Sequence, residues 1–299
     1  MRVYSNHGII IEDNGLKLGL DNGKGDINFI SHAHSDHLFS SKKSVLSSSE
    51  TLLLARARNK HVGELFSDDN FELLNAGHVL GSCSLLYHGS KSVLFTGDFC
   101  TRDRHFLKGF KPKSADVLIM ETTFGRPEYV FPSFNNTVKK IKNRIGELVS
   151  GGKNVLLSGY GLGKAQHLCK IVDGFSNVFV DVSVKKINDV YRSAGINLID
   201  FPVYDGEESF VLISPKCWLP NAVNLNFSGW NAIKPCSSDS FVLSDHSDFR
   251  ELLEVVKKVS PEKVFTYHGF AKDFADFLRV EGFDASALVN KQHSLNNFF

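Results

Sequence analysis

At 299 residues, 42% hydrophobic and 22% charged, the chain is long enough for one large domain or two small ones and holds a core without covalent staples. Its net charge of +1 argues neither for nor against a polyanionic partner. No apolar run reaches the ~20 residues of a membrane span, no signal-peptide core follows Met1, and the cysteines at 83, 100, 169, 217 and 236 are odd in number and lack a C-x-x-C pair, which argues against a disulfide framework and for a reduced, cytoplasmic setting.

Residues 8–30 read as strands separated by Asp13-Asn14-Gly15 and Asp21-Asn22-Gly23, both strong turn signals. Asp21 is on local grounds an ordinary turn residue. The apolar run Ile27-Asn28-Phe29-Ile30 then reads as a buried strand that feeds His32-Ala33-His34-Ser35-Asp36-His37. With only 12 histidines in the chain, three within six positions are not a chance surface loop. In an extended segment His32 and His34 project to the same side, and after a turn Asp36 and His37 can face the same pocket. Imidazole and carboxylate together suit zinc or a similar divalent ion.

Residues 49–58 read as a helix with Leu52, Leu53 and Leu54 as its apolar face. A strand at Phe71–Leu74 leads to Gly77-His78-Val79-Leu80-Gly81, where the glycines allow close backbone approach to a buried site, making His78 a candidate ligand. His88 has no such context and reads as a strand-end histidine. Ser92–Phe95 and Asp116–Met120 are apolar strands that deliver Asp98 and Glu121 at their ends.

Residues 133–150 are helical: Phe134, Val138, Ile141, Ile145 and Leu148 share a face, Ser133 can cap the start and Gly151-Gly152 end it. Asn154–Ser158 is a strand, and Gly159–Lys164 a Gly-rich turn into a helix carrying Ala165, Leu168 and Ile171. Such a turn can cradle a phosphate on backbone N–H groups, although it lacks a G-K-[ST] ending. One more strand and helix, at 175–182 and 184–195, suggest a small parallel α/β unit over 153–233, closed by Phe227-Ser228-Gly229-Trp230. Trp230 reads as a core or hinge residue rather than a base-stacking platform. His246 precedes a helix with Leu252, Leu253, Val256 and Val259 on its face. Strand 263–267 delivers His268, and helix 271–281 and a short β-like tail follow.

H-x-H-x-D-H at 32–37 and A-G-H-x-x-G-S at 76–82 resemble the metallo-β-lactamase superfamily. E-T-T-F-G at 121–125, L-G-K-A-Q at 162–166, S-D-H-S-D-F at 244–249 and the His268-Gly269 step resemble its β-CASP nuclease subgroup, with a continuation after Gly125 close to short archaeal mRNA 3′-end processing factors and ligase-associated exonucleases. The resemblance implies an α/β fold, the metallo-β-lactamase αββα sandwich over 1–152 and 234–299 with a small β-CASP cap inserted at 153–233. It implies two zinc ions, with manganese as an alternative: His32, His34 and His78 on one, Asp36, His37 and His268 on the other, and Asp98 bridging. Asp21 would buttress the metal loop. His246, held by Glu121, would protonate the leaving oxygen or touch the scissile phosphate, and Asp36 would also orient the attacking water. Ser158, Gly161, Lys164 and Ser228 would contact substrate. The activity implied is hydrolysis of RNA phosphodiester bonds, by exo- or endonucleolytic attack on a single strand, with His268 favouring RNA. DNA hydrolysis in repair and a catalytically silent nucleic-acid scaffold are the alternatives.

Overall fold

The computed structural model describes residues 1–5, 8–216 and 218–288; Cys217 and the end of the expected β-like tail lie outside the described residues. In chain order the opening half holds β1 (Arg2–Ser5), β2 (Ile9–Asp13), β3 (Leu16–Leu20), β4 (Ile27–Phe29), α1 (Ser49–Ala57), β5 (Phe71–Asn75), β6 (Cys83–His88), β7 (Ser92–Phe95) and β8 (Val117–Glu121). The middle holds α2 (Phe134–Ser150), β9 (Asn154–Ser158), α3 (Lys164–Ile171), β10 (Val178–Val180), α4 (Val182–Ser193), β11 (Val211–Ser214), β12 (Ala222–Phe227) and β13 (Ser240–Phe241). The chain returns with α5 (Phe249–Val259), β14 (Lys263–Tyr267), α6 (Ala271–Val280) and β15 (Ala285–Ala287).

Two sheets form a sandwich. One is four-stranded, β1-β2-β3-β4; the other is six-stranded, β15-β14-β8-β7-β6-β5. Asn14 and Gly15 both take positive φ between β2 and β3, as a tight hairpin turn demands. Between the sheets Ile9, Ile11, Leu18, Leu20 and Phe29 interdigitate with Leu85, Val93, Phe95 and Ile119. The outer face of the larger sheet is covered by α5 and α6 through Leu252, Val256, Phe274 and Leu278. Asp13 ties the layers together: its buried carboxylate accepts hydrogen bonds from the Ser90 amide at 2.7 Å and the Tyr87 hydroxyl at 3.1 Å. Burial opposes the charge, but these bonds outweigh it and hold the Asp13 carboxyl below its ordinary value. Its contribution is therefore present above the usual carboxylate range and lost as pH falls through it. Asp13→Asn should cost about 1–3 kcal/mol at pH 7 and progressively less in acid, as urea unfolding at two pH values would read.

The third sheet, β10-β11-β9-β12-β13, is parallel throughout, as the α/β reading of the insert expects. The expected insert, 153–233, contains β9 to β12, while β13 lies beyond residue 233 and still pairs with β12. α2 keeps its predicted face and its Ser133 cap. On α1, Leu52 and Leu54 are buried but Leu53 is exposed: three consecutive residues cannot share a face at 100° per residue. The insert does not stand off from the body. Its core (Leu162, Ala165, Leu168, Tyr191) is continuous with Ile30, Ala33, Leu38 and Val79 of the main domain, and the Leu80 amide donates to the Tyr191 hydroxyl.

Strand direction positions the chemistry. β5, β7, β8 and β14 run the same way, β6 alone reversing between β5 and β7. Their C-terminal ends therefore deliver His78, Asp98, Glu121 and His268 to one edge of the sheet. The loop after β4 carries His32–His37 to that same edge, where these side chains meet.

Candidate metal centre

Three imidazoles converge on one point. His32 Nε2 lies 3.0 Å from His34 Nδ1, which lies 3.1 Å from His78 Nε2. The opposite nitrogen of each ring fixes its tautomer. Ser31 Oγ donates to Asp21, so its oxygen accepts from His32 Nδ1–H at 2.9 Å. His34 Nε2–H donates to the Leu162 carbonyl at 3.2 Å, and His78 Nδ1–H to the Asp245 carbonyl at 2.8 Å. All three rings consequently point lone pairs, not protons, at their common centre. Burial pushes all three below the ordinary histidine value, which favours the neutral form. Facing lone pairs repel one another, and a cation at their focus turns that repulsion into ligation.

A second group adjoins it. His37 Nδ1 pairs with Asp21 at 2.7 Å, leaving His37 Nε2 buried without a hydrogen-bond partner, 3.4 Å from Asp98 Oδ2. Burial would lower His37, but Asp98 and Asp21 outweigh it and raise it. Asp98 stands between the groups: Oδ2 faces His32 at 3.7 Å and His78 at 3.9 Å, while its other oxygen, also buried without a hydrogen bond, lies 3.9 Å from His268 Nδ1. Asp36 reaches the edge of this group, 3.7 Å from His37 Nε2, with its side chain 77% exposed. Two buried polar atoms without hydrogen-bond partners, His37 Nε2 and Asp98 Oδ1, on residues of the types zinc prefers, fit a divalent cation that would take the place of the His37 proton. His268 takes φ 55° and is followed by Gly269, also at φ 55°, where a Cβ would sit 2.3 Å from the Thr123 backbone. Asp21, at φ 51°, is more than a turn residue: it holds both Ser31 and His37 in place.

Beside the cluster, His246 Nδ1 bonds Glu121 Oε1 at 2.9 Å. Glu121 is wholly buried, and its other oxygen accepts from the Thr123 amide at 2.8 Å. Burial would lower His246, but Glu121 outweighs it and raises the imidazole above its ordinary value. The dyad opens into a cleft of about 370 Å³ lined by His34, Asp36, Asp98, His268, Gly161, Lys164 and Ser228, with Arg58, Tyr160, Phe124 and Trp230 on its walls.

The structure revises two of the substrate candidates. Ser158 is buried within β9, its backbone registered against Ser214 and Asn226, so it does not line this cleft. Lys164 touches the cleft, but its ammonium is engaged by Asp245 Oδ2 at 2.9 Å and the Leu243 carbonyl at 2.8 Å. Trp230 is not a core residue: it is 45% exposed, and its ring rests against Phe124 and Tyr129. Sequence reasoning missed Arg104 and Asp245. Arg104 donates to Asp245 Oδ1 and to the His78 carbonyl, both at 2.8 Å. Burial opposes the Asp245 charge, but Lys164 and Arg104 outweigh it and hold the carboxyl far below its ordinary value.

Comparison with known proteins agrees with this geometry. Residues 236–286 match the family described as "Zn-dependent metallo-hydrolase RNA specificity domain". A probable DNA ligase of Opitutus terrae is 35% identical over 87% of this chain, which spans 28% of that protein. Probable RNase MJ4 of Methanocaldococcus jannaschii is 24% identical, with 92% of each chain covered. Transcription termination factor FttA of Methanothermobacter thermautotrophicus is 23% identical over 70% of this chain and 46% of its own length. A solved protein of unknown function from Enterococcus faecalis shares the fold, with a TM-score of 0.60 at 13% identity over 89% of this chain and 79% of that one. Taken with the His/Asp cluster at one sheet edge and the parallel insert that closes over it, these similarities make the chain a member of the metallo-β-lactamase superfamily, in its β-CASP subgroup.

Proposed function

We propose that the chain is a zinc-dependent nuclease that hydrolyses phosphodiester bonds in single-stranded RNA. The observation that carries this reading is the His246–Glu121 pair opening into the same cleft as the convergent lone pairs of His32, His34 and His78. Two cations fit the donor set, one on His32, His34 and His78 and one on Asp36, His37 and His268, with Asp98 shared. Zinc suits these ligands, and manganese is the alternative. Bound divalent cations supply Lewis-acid activation of water and neutralise charge on the phosphate. The chain's residues do the rest. Asp36, exposed at the lip, orients the attacking water. His246, whose protonated form Glu121 favours, presents Nε2–H to the leaving oxygen. Gly161 and Ser228 lie on the cleft walls, where a backbone N–H and a hydroxyl can meet phosphate oxygens.

Aromatic faces support a single strand. Tyr160, 76% exposed and 6.5 Å from the His34 ring, and Trp230 offer π-faces to unpaired bases. Tyr160→Ala and Trp230→Ala should each weaken binding by about 1–3 kcal/mol, a ~5- to 150-fold rise in KM with kcat changed less, as steady-state kinetics on a labelled oligonucleotide would measure. RNA is preferred because the matched domain is described by RNA specificity and RNase MJ4 is named a ribonuclease. One observation favours DNA as a second reading: the Opitutus protein, 35% identical over 87% of this chain, is named a DNA ligase. The cytoplasm suits an enzyme whose described cysteines are all unpaired, Cys83, Cys100 and Cys169 buried and Cys236 exposed. Among the described residues no helix is long and apolar enough to cross a membrane.

The test is cleavage of matched RNA and single-stranded DNA, labelled at either end, by zinc-loaded protein beside an Asp36→Ala/His37→Ala double variant. RNA cleavage that the variant loses supports the reading, and the product ladder separates end from internal attack. Cleavage of DNA alone moves the protein to DNA processing. Zinc-loaded protein that cuts neither contradicts the nuclease reading.

A further inference from the structure

Two of the three imidazoles in the first group owe their orientation to the insert. His34 donates to the Leu162 carbonyl, which lies on the turn between β9 and α3. His78 donates to the Asp245 carbonyl, and the Asp245 carboxylate is gripped on one oxygen by Lys164 of α3 and on the other by Arg104 of the main domain. Lys164 and Asp245 are both buried, so their mutual attraction is stronger than on the surface and the loss of Asp245 leaves Lys164 without its counter-charge. The turn that supplies both contacts is itself fixed: the Gly163 amide donates to Gln166 Oε1 at 2.7 Å, and Gln166 Nε2 donates to the Gly161 carbonyl at 3.0 Å and to Asn188 of α4 at 2.9 Å. The chain Asn188–Gln166–turn–His34 and the chain Lys164–Asp245–His78 therefore end on the same cation position.

We infer that Lys164 and the Leu162 carbonyl are positioning groups for the first metal site, so that docking of the insert helps set how tightly that site holds its cation. The inference rests on the reading that His32, His34 and His78 hold a cation. An outer partner of a ligating histidine fixes its ring and tautomer, and losing one typically weakens metal binding ~10- to 100-fold. The coupling is reciprocal: a cation on these histidines tightens insert docking by the same factor. The Gly159–Lys164 turn, whose sequence suits a phosphate cradle, thus also serves in the fold as a brace for the histidines.

The experiment measures zinc affinity by chelator competition, not turnover, on wild type, Lys164→Met, Lys164→Arg and the Lys164→Met/Asp245→Asn pair. The expected result is zinc binding weakened ~10- to 100-fold in Lys164→Met, with Lys164→Arg, which keeps a cation against Asp245, recovering most of the loss. The double variant removes one charge of each sign and leaves Arg104 its carbonyl partners; it serves if Lys164→Met alone does not hold its fold, and it should bind zinc as weakly. Hydrogen exchange adds a second readout: zinc should slow exchange across residues 159–166 in wild type and do so less in Lys164→Met. Lys164→Met or the double variant binding zinc as tightly as wild type overturns the inference while leaving the nuclease reading intact. Wild type that binds no zinc fails the reading beneath it instead.

Discussion

His246→Ala should keep its metal ions and lose turnover by about 10²–10⁴-fold, the range typical of a lost general acid. The geometry sets this expectation. Nδ1 of His246 is occupied by Glu121, and Glu121 is held in turn by the Thr123 amide, so the ring can swing little and its Nε2 is committed to the cleft. Glu121 also favours the charged imidazole against the pull of burial, the direction that suits a general acid. Glu121→Gln leaves the shape nearly unchanged and removes the charge, so its loss should approach that of His246→Ala. The double variant should be little worse than either single one, because the two side chains act as a unit. The alternative is concrete, since His246 lies with His78 and Asp98 in a group compact enough to ligate an ion. Rate constants and metal content must therefore be read on the same preparation. Zinc lost from His246→Ala would make the residue a ligand and end its assignment as an acid.

Asp245→Ala is expected to be the most destabilising of the single substitutions considered, by about 3–5 kcal/mol. Asp245 is the only acid that the buried Lys164 and Arg104 are seen to share among the described residues. Removing it leaves two buried cations with carbonyl partners but no counter-charge, which is far costlier than losing a surface pair. Urea unfolding of the chelator-treated protein reads the effect without a metal contribution. A change within the ~0.5 kcal/mol of an ordinary surface substitution would show that the network carries no structural weight.

Of the candidate site, His32 to His37 was legible because it is local in sequence, while His78, Asp98, Glu121, His246 and His268 gained their roles from the resemblance of the motifs around them. His32 to His37 lie within six residues, and His78, Asp98, Glu121 and His268 each follow a short apolar run closed by a small residue or a turn. In the fold those runs are β5, β7, β8 and β14, whose shared direction converts local signals into one site. What holds the site was not legible. Arg104 meets Asp245 from 141 positions away, and Lys164 meets the Leu243 carbonyl from 79. No spacing rule connects them, and a lysine after a Gly-rich turn reads as a phosphate ligand until its buried partner is seen. Strands β1, β11 and β12 also escaped reading. β12 carries Asn224 and Asn226 in the interior of a sheet, and Asn226 is tolerated there because its side chain accepts from Asn231. The exposure of Trp230 was not legible for a related reason: an aromatic after a Ser-Gly step carries no sign of which of its faces the fold leaves open.

The most direct test of the whole account is the metal-to-chain ratio of the zinc-loaded protein, measured by native mass spectrometry. The converging lone pairs of His32, His34 and His78, and the shared position of Asp98 beside His37 and His268, predict two zinc ions per folded chain. A folded chain that takes up none would contradict the account at its root.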